Sequence, residues 1–366
     1  MKKLAAALLA AALLVLPAQA VSGAPTVDAA AAVLMEKETG AILYEQNAHD
    51  KLEPASVTKI MTLLLIMEAL DSGRIARDDM VTVSAYAAGM GGSQVYLKEG
   101  EQMSVSELLK CITVVSGNDA AVAMAEYLSG SEAAFVAEMN LRARELGMAD
   151  TNFVNCTGLP AQGHLTSAHD IALMSRELIL NHPSIREYTT IWMDSIRDGA
   201  FGLTNTNRLV RFYQGATGLK TGSTDSALYC VSATAERDGM ELIAVVMKSP
   251  TSAQRFEDAK ALLDYGFANY TLARVYPDVP LAPVEVLLGT TAQAQPQSDR
   301  ACPLLVRTAQ EGLIPTQIQL AQDLEATVER GQKLGQMEVT LDREVRDTIP
   351  IVTSQQVDTP PNTSTY

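Results

Sequence analysis

Ser56-Val57-Thr58-Lys59, Ser116-Gly117-Asn118 and Lys220-Thr221-Gly222 follow one another along the chain, so a fold that uses them together must bring three distant segments to one place. Ser56 and Lys59 are three apart, and a helix puts both on one face. A serine hydroxyl is a poor nucleophile until a base takes its proton. Lys59 is such a base only while its amine is neutral, a state favoured by burial and by nearby cations such as Lys220. The run Ile60, Met61, Leu63, Leu64, Leu65, Ile66 and Met67 makes this helix apolar nearly all round, hence buried. Its first backbone N–H groups face outward, where an oxyanion would form. Ser116-Gly117-Asn118 reads as a turn carrying a hydroxyl to relay a proton and an amide to hold Lys59 or a substrate backbone. Asp119 reads as a first-turn helix residue. Lys220-Thr221-Gly222 reads as a strand whose glycine lets a substrate approach as an added strand. Lys220 and Thr221 suit a carboxylate, and the Ser223 N–H suits an oxyanion. One Ser-x-x-Lys arises about once by chance in a chain of this size. The ordered set points instead to attack on a peptide bond beside a free carboxylate.

The pattern around the motifs is α/β. Ala30 to Glu36 and Ala41 to Glu45 form a hairpin pattern around Lys37-Glu38-Thr39-Gly40. A helix is expected over Val57 to Leu70, closed by Asp71-Ser72-Gly73. Further helices are expected over 104–111, 119–128, Glu132 to Leu146, and Asp170 to Leu180 with Ser167 as cap. Leu228 to Ala235 and Leu242 to Met247 flank Arg237-Asp238-Gly239 as a second hairpin, and Arg255 to Phe267 makes the next helix. Strands at both ends with helices between predict a sheet whose first and last strands are neighbours. Near residue 275 the helical signals give way to Pro277, Pro280 and Pro283 and to short β-rich runs. The expected divisions are a leader at 21–29, a catalytic domain at 30–275, a β-rich domain at 276–353 and a disordered tail at 354–366.

A chain of 366 residues that is 47% hydrophobic is ample for one large core or two. A net charge of −15 argues against nucleic acid as partner. Lys2 and Lys3, the apolar stretch Leu4 to Leu16 and Ala18-Gln19-Ala20 read as a cleaved export signal over residues 1–20. That stretch is shorter than the roughly 20 residues of a membrane span. The protein is therefore expected outside the cytoplasm. Cys111, Cys156, Cys230 and Cys302 form no CxxC pair, and His49, His164, His169 and His182 form no HExxH. No metal or cofactor is expected, and buried free thiols are expected over disulfides.

The chain resembles the low-molecular-mass penicillin-binding proteins that act as D-alanyl-D-alanine carboxypeptidases, the peptidase S11 family. The likeness includes Pro54-Ala55-Ser56-Val57-Thr58-Lys59-Ile60-Met61-Thr62, and Leu108-Leu109 through Ser116-Gly117-Asn118-Asp119-Ala120-Ala121. It continues through Asn205-Thr206-Asn207-Arg208-Leu209, Gly218-Leu219-Lys220-Thr221-Gly222-Ser223-Thr224, and Arg255 through Leu262-Leu263 and Gly266-Phe267. It extends over roughly residues 30–353. The resemblance implies a β-lactamase/transpeptidase-like domain, an antiparallel sheet packed with helices, followed by a small β-rich domain. It implies Ser56 as acyl-ester nucleophile, Lys59 as general base, Ser116 as proton shuttle and Asn118 as substrate-orienting amide. Lys220, Thr221, Gly222, Ser223 and Arg255 would bind substrate, with the Ser223 N–H on the oxyanion. The implied partners are peptidoglycan stem peptides and β-lactam antibiotics.

The family's usual amphipathic C-terminal helix has no counterpart in residues 353–366, so membrane attachment is not carried over. A secreted or wall-associated enzyme is equally expected. Two rivals share these residues. A class A β-lactamase-like hydrolase needs a glutamate to activate water, for which Glu177 and Glu187 lie in about the right region. A non-enzymatic wall- or β-lactam-binding module needs a degenerate site, yet every expected position is filled.

Overall fold

The computed structural model describes residues 23–277, 280–310, 314–341 and 343–360, and the export signal expected at 1–20 lies outside them. Strands β1 (Ala31–Glu36), β2 (Ile42–Gln46), β3 (Ala216–Thr224), β4 (Leu228–Arg237) and β5 (Met240–Ser249) form one antiparallel sheet in the order β2-β1-β5-β4-β3. The first strand thus lies against the last, as the pattern predicts. Side chains alternate between the two faces of a strand, and here both faces are covered. Val33, Met35, Ile243 and Val245 pack into the larger helical core. Ala32, Leu34, Leu242 and Ala244 pack against Phe256, Leu262 and Leu263 of the helix Ser252–Asn269. Double burial explains why β1 and β5 read as continuous apolar runs rather than as alternating ones.

Helix α1 (Lys59–Asp71) runs through the larger core, with all residues from Lys59 to Met67 buried. Each large apolar side chain fully buried there contributes about 1.5–3 kcal/mol. The α-helix starts two residues later than expected, because Ala55–Thr58 forms a tighter 3₁₀ turn ahead of it. Ser56 sits in that turn. Helices α2 (Val105–Val114) and α3 (Asn118–Ser129) flank the Ser116 turn. Helix α4 (Ala168–Asn181) starts at the expected cap, where Ser167 accepts from the Asp170 N–H.

Beyond residue 269 the regular structure of the described chain is strand, apart from one 3₁₀ turn at Thr308–Gln310. Tyr270–Val275 pairs along its length with Cys302–Arg307, so the join expected at 275/276 falls at the end of a paired strand. A separate core of Val275, Leu304, Val306, Met337, Val339, Ile349 and Ile351 holds these strands together. Two expectations need correction. Residues 354–360 are not a free tail: Val357 is buried against Val284, Val286 and Val328 and exchanges backbone hydrogen bonds with Val328. The segment is also held by the Ser354 N–H, which donates to the Gln295 carbonyl, and by the Asp358 carbonyl, which accepts from the Thr290 N–H; residues 361–366 lie outside the described part. In the expected leader, Val27 and Ala29 are buried, and the Asp28 and Ala29 N–H groups donate to Asp258. The four cysteines are free and buried. No helix among the described residues is long and apolar enough to cross a membrane.

Candidate active site

Lys59 is the centre of the site. Its Nζ lies 3.1 Å from Ser56 Oγ, 2.6 Å from Asn118 Oδ1 and 2.7 Å from the Thr157 carbonyl oxygen. The Asn118 amide is oriented by its Nδ2, which donates to the Gly91 carbonyl at 2.7 Å. Two of the three neighbours of the amine can therefore only accept. A neutral lysine amine has two hydrogens and one lone pair, so with both hydrogens on Asn118 and Thr157 its lone pair faces the Ser56 hydroxyl. That is the arrangement a general base needs.

Electrostatics favour the neutral form. Burial lowers the Lys59 pKa from its ordinary value to about 7, against partial opposition from Cys156 and Asp119. The repulsion from Lys220 expected to depress Lys59 is not among the causes of its shift, which is burial; the repulsion falls instead on Lys220, held well below its usual range by burial first, then by the charges of Lys59 and Arg255. Asp119 is structural, as expected. Its carboxylate accepts from the Val95 and Leu97 N–H groups and so fastens the 91–97 loop over the start of α3.

Ser116 stands two residues before Asn118 with φ at +64°, and its buried Oγ has no hydrogen-bond partner among the described residues. Buried hydroxyls are normally satisfied, so this one is left available. On β3, Lys220 and Thr221 are buried; Lys220 Nζ donates to the Thr221 carbonyl, and Thr221 Oγ1 donates to Thr206 Oγ1 at 2.7 Å. Gly222 presses against the Ser56 turn. A Cβ there would lie 2.7 Å from Ser56 N and 2.9 Å from Val57 N, so only glycine fits. Strand β3 is the last in its sheet, with its outer edge open to an added strand. Ser223 is exposed on that strand, opposite Tyr229.

Arg255 is buried under the same strand. Its Nη1 donates to the Gly222 and Cys230 carbonyls at 3.2 and 3.4 Å, while Nε has no partner among the described residues. Burial lowers its pKa to about 10. The guanidinium lines a cleft of about 680 Å³ together with Trp192, Thr206, Arg208 and Phe212. The structure thus joins Ser56, Lys59 and Asn118 directly, and sets Gly222 with its strand beside them. The carboxylates weighed as water-activating bases are occupied elsewhere: Glu177 pairs with Arg142, and Glu187 with Arg77.

Sequence reasoning missed the 152–165 loop, which supplies the Thr157 carbonyl. Gly158 is the one sign of it: φ is +87°, and a Cβ would fall 1.9 Å from the Ala55 carbonyl oxygen. It also missed Thr206, quoted only within a run of similar residues.

Residues 18–251 match the family model described as D-alanyl-D-alanine carboxypeptidase, and residues 278–359 match that of the penicillin-binding protein 5 C-terminal domain. The chain is 42% identical over 335 residues to D-alanyl-D-alanine carboxypeptidase DacF of Bacillus subtilis, covering 90% of this chain and 86% of that protein. Its fold matches crystal structures of penicillin binding protein 5 from Haemophilus influenzae with a TM-score of 0.76 at 29% identity, covering 92% and 99% of the two chains. The ampicillin-bound form of penicillin-binding protein D2 from Listeria monocytogenes matches with a TM-score of 0.61 at 36% identity, over 66% of this chain and 98% of that one. Paired with a serine whose hydroxyl faces a buried lysine, these matches settle the lineage: the chain belongs to the D-alanyl-D-alanine carboxypeptidase family of peptidase S11.

Proposed function

We propose that this chain is a serine-type carboxypeptidase that removes the terminal D-alanine from peptidoglycan stem pentapeptides on the outer side of the cytoplasmic membrane. The observation that carries the proposal is the buried Lys59 amine 3.1 Å from Ser56 Oγ, with the Asn118 and Thr157 oxygens as its other two partners. Ser56 Oγ attacks the penultimate D-alanine carbonyl as its proton passes to Lys59. The oxyanion is held by backbone N–H groups of the Ser56 turn and of Ser223. Ser116 returns the proton to the departing amine, terminal D-alanine leaves, and water hydrolyses the ester on Ser56. Lys220, Thr221 and Arg255 bind the free carboxylate, and Asn118 orients the peptide. A β-lactam offers a similar carboxylate and a strained amide, so it acylates Ser56 and is released slowly.

The direct test is D-alanine release from a pentapeptide ending in D-Ala-D-Ala; no release by a protein that still takes up penicillin would favour the binding-module reading. Steady-state turnover of a penicillin faster than about one per second would favour the β-lactamase reading, on the ordinary scale of enzyme turnover.

The acylation rate should depend on pH through Lys59. Because its pKa is depressed to about 7, the reactive neutral form is lost as pH falls through that value and dominates above it. Acylation by penicillin should therefore rise across neutrality to a plateau; a rate still climbing near the ordinary lysine range would show that the base does not carry the depressed pKa of a buried amine. Arg255→Gln should lower kcat/KM for a D-Ala-D-Ala peptide about 10- to 100-fold, the scale of a hydrogen bond to a charged group. The same peptide with an amidated end separates the roles of Arg255. Equal losses on both peptides would mean that Arg255 only supports β3.

A further inference from the structure

Four contacts clamp the 152–165 loop onto the nucleophile turn. Lys59 Nζ donates to the Thr157 carbonyl, Thr62 Oγ1 donates to the Cys156 carbonyl at 2.7 Å, and Gly158 sits against the Ala55 carbonyl. The fourth runs through His164, which is 2% exposed. The Val154 N–H donates to His164 Nδ1 at 2.9 Å, which makes Nδ1 the acceptor and leaves the ring proton on Nε2. Nε2 then donates to Thr58 Oγ1 at 2.8 Å, and Thr58 Oγ1 donates to the Ala55 carbonyl at 2.9 Å. The chain of donors runs one way, from the loop backbone to the residue before Ser56. Ala55 itself is held at a φ of +48°, a conformation that non-glycine residues keep only when their surroundings enforce it.

We infer that His164 is a positioning residue for acylation, whose ring holds the Thr157 carbonyl on Lys59 and the strained Ala55 beside Ser56. It touches neither substrate nor reacting atoms; it acts through Thr58, Ala55 and the loop. A protonated ring would turn Nδ1 into a second donor facing the Val154 N–H, so the relay needs the neutral imidazole. Burial secures it, lowering the His164 pKa to about 4 against the opposing charge of Glu53. With the loop seated, the Lys59 amine stays dry and near neutral. With the loop loosened, water reaches the amine and its pKa climbs towards the ordinary lysine value.

This inference rests on acylation of Ser56, and the test keeps the two apart. The acylation rate by a fluorescent penicillin is measured against pH for the full chain and for His164→Ala, His164→Gln and Thr58→Val. Burial sets the acid limb of Lys59, against Asp119 and Cys156, which raise its pKa; Lys220 also faces it and is itself lowered by the Lys59 charge. None of these three residues is itself substituted. His164→Ala should acylate about 10²-fold more slowly, the scale set by small misplacements of reacting groups, with the acid limb moved to higher pH. Glutamine keeps an acceptor for Val154 and a donor for Thr58, so His164→Gln should recover most of the rate and the original limb. Thr58→Val cuts the relay with the ring in place and should reproduce the alanine result, so the test survives if His164→Ala does not fold. A labelled wild type with unimpaired His164→Ala and Thr58→Val removes this inference alone. So does a slow variant whose acid limb is unmoved and which glutamine does not rescue. A wild type that takes up no penicillin removes the acylation reading beneath it.

Discussion

Ser56→Ala should give a folded protein whose mass does not change on incubation with a penicillin. The wild type should gain the mass of one penicillin. The fold should survive because the lost hydroxyl is only half buried and makes one contact, to Lys59, whose amine keeps Asn118 and Thr157. One such hydrogen bond contributes about 1 kcal/mol, a shift of a few degrees in thermal unfolding. The chemistry should not survive, because the remaining groups bind and polarise but offer no nucleophile, and loss of a catalytic serine costs several orders of magnitude in rate. Intact mass and a melting curve on the same samples decide it. A mass gain in Ser56→Ala would place the nucleophile elsewhere, and an unmodified wild type would remove the functional reading.

What could be read in the sequence is what side-chain type and spacing encode. Ser56 and Lys59 three apart before a buried apolar helix, Asn118 behind a Ser-Gly turn, and a glycine after Lys220-Thr221 are all matters of residue identity. So was the neighbouring of the first and last strands, because both hairpins declare themselves through apolar runs around polar turns. Backbone direction has no such signature. The Thr157 carbonyl on Lys59 and the Ala55 carbonyl on Thr58 Oγ1 could come from any residue type. His164 was weighed from its identity only as a metal ligand; its role depends on which backbone group its Nδ1 meets. Val357 shows the same limit: a polar, proline-bearing segment reads as a free tail until one valine finds a hydrophobic slot.

Gly158→Ala should damage both stability and acylation, and a matched control can say why. Gly158 has φ at +87°, where an alanine is strained by roughly 1–2 kcal/mol whatever surrounds it. Its Cβ would also fall 1.9 Å from the Ala55 carbonyl oxygen and 2.9 Å from Ser56 N, both backbone atoms that cannot rotate away. The loop cannot yield easily, because Asn155 Oδ1 accepts from the Gly158 N–H at 2.7 Å and Asn155 Nδ2 donates to the Leu159 carbonyl at 2.9 Å. Either the nucleophile turn moves or Thr157 leaves Lys59. Gly163, in the same loop, has φ at +80° but only the Asn152 side chain at 3.9 Å from a Cβ. Gly163→Ala therefore carries the backbone strain without the collision. It should lose roughly 1–2 kcal/mol and acylate normally. Gly158→Ala should lose a further 1–3 kcal/mol, roughly the range of overpacking, and acylate about 10²-fold more slowly. Equal behaviour of the two variants in melting and in penicillin uptake would mean that the loop does not brace the nucleophile, and that Ser56 is positioned by α1 and β3 alone.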